Sequence, residues 1–72
     1  MINAKPRNAI EINQLASALH SAEARGISVE RLSGASGVNI YPSNKHVQVD
    51  VWCPVHTTVS VNELCAALNN LI

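Results

Sequence analysis

The sequence is poor in most of the features that announce a function. It has one tryptophan, one tyrosine, no phenylalanine, two cysteines and only 14% charged residues across 72 positions. Two cysteines are too few for the disulfide scaffold of a small secreted domain. Five Lys and Arg balance five Asp and Glu, a formal net charge of zero. That balance removes the usual electrostatic reason to expect a nucleic-acid partner. Apolar stretches are interrupted every few residues by Asn, Ser or Glu, so none spans a bilayer and no membrane partner is expected. The opening segment from Met1 to Arg7 lacks the apolar run of a signal peptide, and a cytoplasmic protein is expected. There is no G-x-S-x-G, no H-E-x-x-H and no glycine-rich phosphate loop. His20, His46 and His56 have no nucleophile paired to them by spacing, and a chain this short struggles to enclose a ligand-sized pocket. The expectation is a protein that is not an enzyme and carries no cofactor.

What remains is a strongly patterned chain, 47% hydrophobic, which is too apolar for a disordered tail. Its length allows a single domain, residues 1–72. Residues 1–7 read as a flexible arm. Asn8 and Glu11 then stand three apart as N-cap and capping glutamate. Ile12, Leu15, Ala16, Leu19 and Ala22 follow at three- and four-residue intervals, which predicts a helix over 9–25. Gly26 suits its C′ position, with Ile27 folding back on the last turn. Ser28 to Leu32 reads as a short helix or turn, and Ser33 to Gly37 as a flexible break. From Val38 the period changes to two, and β-branched residues predict a β-hairpin over 38–53 with its turn at Tyr41–Lys45. His56 to Val59 adds a candidate third strand. Ser60 and Glu63 form a second capping box, with Val59 and Leu64 in staple positions. Val61, Leu64, Cys65, Leu68, Leu71 and Ile72 then make one apolar stripe on a helix over 61–72. The fold class is α+β, in α-β-β-α order. Two amphipathic helices cover one face of an antiparallel hairpin or three-stranded sheet.

The uncovered sheet face is the candidate site. With Val47, Val49, Val51 and Cys53 pointing to the core, alternation sends His46, Gln48, Asp50 and Trp52 outward. Trp52 is then either covered by the N-terminal arm or the 28–34 segment, or it anchors a partner together with Tyr41. Trp and Tyr lead the residue types found at binding hot spots, and Asp50 and Lys45 would supply a polar rim. A core made almost wholly of Ala, Val, Leu and Ile also favours association, most simply a homodimer. It would form through edge strands or the C-terminal stripe. The expected function is stoichiometric protein binding, as an adaptor or inhibitor. Small size without a motif is also the pattern of phage and mobile-element accessory proteins.

Three rival readings compete with this one. Cys53 and Cys65 read best as buried free thiols, but Cys53, His56 and Cys65, with His46 as a fourth, are a possible zinc set, and a Cys53–Cys65 disulfide is another. Residues 28–46 contain an octet, Leu32 to Asn39, similar to the turn of a helix-turn-helix. A nucleic-acid-binding regulator would need Lys5, Arg7, Arg25, Arg31 and Lys45 on one face.

Overall fold

The structure, a computed structural model, describes residues 1–72. Strand β1 (Ile2–Ala4) leads into helix α1 (Ala9–Ala24), followed by β2 (Ser28–Arg31), β3 (Gly37–Tyr41), a 3₁₀ turn at Pro42–Asn44, β4 (His46–Asp50) and helix α2 (Val61–Leu71). The chain is a small compact α+β domain, with two more strands than the α-β-β-α order contains. The strands form one mixed sheet in the order β1-β3-β4-β2. The β3–β4 hairpin is its centre; β1 joins β3 antiparallel and β2 joins β4 in parallel.

Both helices start and stop where their end chemistry dictates. The Asn8 side chain accepts from the Glu11 amide at 2.9 Å, filling one of the vacant first-turn donors. The Glu11 carboxylate reaches one residue further back than a capping box requires, to the Arg7 amide and guanidinium. At the other end Gly26 has φ +97°. The amides of Gly26 and Ile27 bond the carbonyls of Glu23 and Ala22, both at 3.0 Å, the paired pattern of a Schellman motif. Ser60 caps α2 through the Glu63 amide and carboxylate.

The core is one cluster. Leu15, Leu19 and Ala22 of α1 and Val61, Leu64 and Leu68 of α2 pack on Ala4, Val38, Ile40 and Val47. These strand residues all lie on one face, because register sets Ile2, Ile40, Val47 and Val29 in one row across the sheet and Ala4, Val38 and Val49 in the next. The C-terminal stripe is therefore mainly core: Leu64 and Leu68 are buried, Leu71 packs against them, and only Ile72 stays exposed.

Several expectations are corrected. Residues 1–7 are not a free arm, since β1 pairs with β3 and buries Asn3 and Ala4 completely. Ser28–Arg31 is a strand, because pairing with β4 outweighs the weak local preference of four residues. The second hairpin strand ends at Asp50, not Cys53. There the Asp50 side chain accepts from the Val51 amide, and the Ser36 hydroxyl accepts from the Trp52 amide. These bonds turn the chain off the sheet, so Val51 and Cys53 are exposed instead of core. The third strand shrinks to a single bridge between Thr58 and Asn3.

Candidate functional site

Both helices lie on the apolar face, so the opposite face of the sheet carries no helix. Register lays three polar rows across it. Gly37 stands opposite Asp50; Asn3, Asn39, Gln48 and Glu30 form the central row; and Tyr41, His46 and Ser28 form the third. Gln48 donates to Glu30 at 3.1 Å, and His46 approaches the same carboxylate at 3.5 Å. The Tyr41 and His46 rings stack with centroids 6.1 Å apart. Lys45 closes the adjoining turn in a left-handed conformation.

Trp52 sits at the far end of this face and is half-buried. Its side chain lies directly over Gly37: a Cβ there would stand 2.5 Å from Cδ1 of the indole. Gly37 has no positive φ, so space alone demands glycine here. The Lys5 ammonium stands 5.6 Å from the indole centroid, within cation–π range. The indole Nε1 is buried without a hydrogen-bond acceptor, which is unusual for a buried donor.

Beside Trp52, Asn3 pins the returning chain to the sheet. Its amide donates to the Cys53 carbonyl at 2.7 Å, and its oxygen accepts from the Thr58 hydroxyl at 2.7 Å. The Val59 amide bonds the Asn3 carbonyl, and Thr57 donates to the Met1 carbonyl. The residue 53–59 segment thus closes the β1 edge of the sheet. The β2 edge has no such cover.

The expected set is brought together. Tyr41, His46, Gln48 and Asp50 share one face, with Trp52 at its end and Lys45 at its turn. Asn3 and Glu30 belong to the same face through β1 and β2, strands the sequence pattern does not show, and Asn39 joins them from β3. The zinc set does not converge: no three His, Cys, Asp or Glu side chains lie close enough to hold an ion. Both thiols are free; Cys53 is exposed, against expectation, while Cys65 is half-buried against the core. Burial pushes the Cys65 thiol above its ordinary value. Residues 28–46 contain two strands and part of a third, so no recognition helix forms there. The five cations do not share a face. Arg25 and Lys45 lie towards the end of the sheet where β2 begins, and Lys5, Arg7 and Arg31 towards the other. No helix is long and apolar enough to cross a membrane.

Comparison of the chain with protein-family models, curated proteins and solved structures found no match.

Proposed function

We propose that this protein is a cytoplasmic, non-enzymatic binding module that docks a protein partner on the helix-free face of its sheet. It acts by stoichiometric contact, as an adaptor or an inhibitor. An accessory role of the phage or mobile-element kind goes with that reading. The observation that carries it is the gathering of Tyr41, His46, Gln48 and Asp50 on one open surface with Trp52 at its end. Aromatic anchors within a polar frame are the composition of a docking hot spot.

Homodimerisation is the second reading, and the uncovered β2 edge favours it. The accessible surface of 4329 Å² matches the roughly 4300 Å² expected of a folded 7.7 kDa monomer.

The test is site-specific photocrosslinking in a lysate, with the crosslinker at Gln48 on the open face and at Asn69 on the exposed side of α2. Gln48 is expected to capture one protein species, identified by mass, and Tyr41→Ala is expected to remove it with circular dichroism unchanged. Capture from Asn69 alone, or capture that survives Tyr41→Ala, sinks the proposal. A crosslink to a second copy, with light scattering at twice the monomer mass, selects the homodimer.

A further inference from the structure

A second feature lies on the helix side of the sheet. Between the N-terminal half of α1 and the loop before β3 runs a groove of about 380 Å³. Val38 and Val49 are its floor, Ile12 and Ala16 stand on one wall, Ala35 stands on the other, and Lys5 lies among its lining residues. The volume falls within the range of small-molecule sites, about 300–1,000 Å³. Its apolar surface is wet, since Ile12 is 55% exposed although it lies on the core-facing stripe of α1.

Charge in the groove is one-sided. Arg7 is paired to Glu11 at 3.1 Å and Arg31 to Glu23 at 2.6 Å. Lys5 takes part in no ion pair, and its ammonium touches only the electron-rich face of Trp52. An apolar slot with one uncompensated cation complements an elongated apolar molecule with one terminal anion. The groove wall from Ile12 to Leu19 is about 10 Å long at 1.5 Å per residue, a length that a chain of roughly eight to ten carbons spans.

We propose that this groove binds a medium-chain aliphatic carboxylate, its chain laid over Val38 and Val49 and its carboxylate on the Lys5 ammonium. Lys5 also links the groove to Trp52, so drawing the ammonium towards a carboxylate changes the environment of the only indole. Binding is therefore readable in Trp52 fluorescence.

The experiment titrates the full chain with decanoate, below its micelle concentration, by fluorescence and by amide NMR shifts. Decanol serves as the uncharged control and acetate as the chainless one. Saturable one-to-one binding of decanoate is expected, with shifts centred on Lys5, Ile12, Ala16, Ala35 and Val49. Acetate is expected to leave them unmoved, and decanol to bind up to about fivefold more weakly, the value of an exposed ion pair. Lys5→Met is expected to remove that fivefold preference while decanol binding holds. Ala16→Glu, at an exposed helical position, is expected to abolish binding of both with circular dichroism unchanged. Equal affinity for decanoate and decanol, no loss of preference in Lys5→Met, shifts centred on the open sheet face, or no saturation would each overturn the proposal.

Discussion

Replacing Gly37 by alanine tests the contact that holds Trp52 on the sheet. The added methyl would meet Trp52 Cδ1, Cβ and Cγ at 2.5, 2.8 and 2.9 Å. Ordinary contacts begin near 3.4 Å, so the indole must retreat by up to about 1 Å. Overpacking of this kind costs about 1–3 kcal/mol. Against it stands a gain of about 0.5–1 kcal/mol for replacing glycine within a strand. The expected net loss is about 1–2 kcal/mol, from a total stability of roughly 4–10 kcal/mol for a chain of this length. In thermal unfolding that is a fall in Tm of about 5–15 °C. On a Trp52→Gly background, which removes the indole and its Cβ together, the clash is gone, and Gly37→Ala is expected to be neutral or mildly stabilising. The double-mutant cycle should therefore give a coupling of about 2 kcal/mol, and Gly37→Ala alone should red-shift Trp52 emission as the ring moves into water. Equal effects of Gly37→Ala on both backgrounds, with emission unchanged, would refute the packing argument.

Four further outcomes are expected. Leu64→Ala, at a position with 0% exposure, should cost about 2–5 kcal/mol in urea unfolding, enough to leave the variant largely unfolded if stability lies at the low end. Asn3→Leu removes the side-chain donor to the part-buried Cys53 carbonyl and leaves the Thr58 hydroxyl only its local bonds to Val55; a loss of about 1–3 kcal/mol is expected, with faster proteolysis of the 53–59 segment. The carboxyls of Glu11 and Glu23 are held below their ordinary value of 4.5 by hydrogen bonds from Arg7 and Arg31. Their folded pKa is lower than their unfolded one, so the unfolded chain binds more protons and stability falls as pH drops from about 5 through the folded values. A Tm series from pH 6 to 3 should show that decline, and Glu23→Gln should flatten part of it. Thiol labelling of the folded chain should modify exposed Cys53 well before Cys65, whose burial disfavours the reactive thiolate.

Elements long enough to show their period were legible in the sequence. The helices had several turns of apolar spacing and side-chain caps at Asn8 and Ser60, and both caps form as their spacing implied. β3 and β4 had alternation and β-branched residues. Strands β1 and β2 have three and four residues, two periods at most. They are strands because β3 and β4 offer them partners, and partners 34–38 residues away for β1 and 18 for β2 leave no local mark. The candidate face followed from alternation in β4 and survived the early end of that strand. Trp52 lies over Gly37 only because the chain turns at Val51, and that turn depends on Ser36, which sequence spacing does not connect to it. The groove was illegible for a related reason: Ile12 and Ala16 keep helical spacing with Leu15 and Leu19, and spacing alone does not say which of the four the sheet covers.

The strand order also sets a sequence of events in time. The central hairpin closes over a few residues, β2 reaches its partner across about one helix's length of chain, and β1 pairs last, over the longest separation. Closing a long loop costs entropy before its contacts form, so pairings of long separation are expected to form late. Opening β1 removes Asn3, and with it the anchors of Cys53, Thr58 and Val59. The first four residues and the 53–59 segment, tied together through Asn3, are expected to exchange their amide protons as one unit. In that partly open form Trp52 loses its neighbours on the β1 side and keeps Gly37 beneath it, while the Tyr41–His46 end of the face stays ordered.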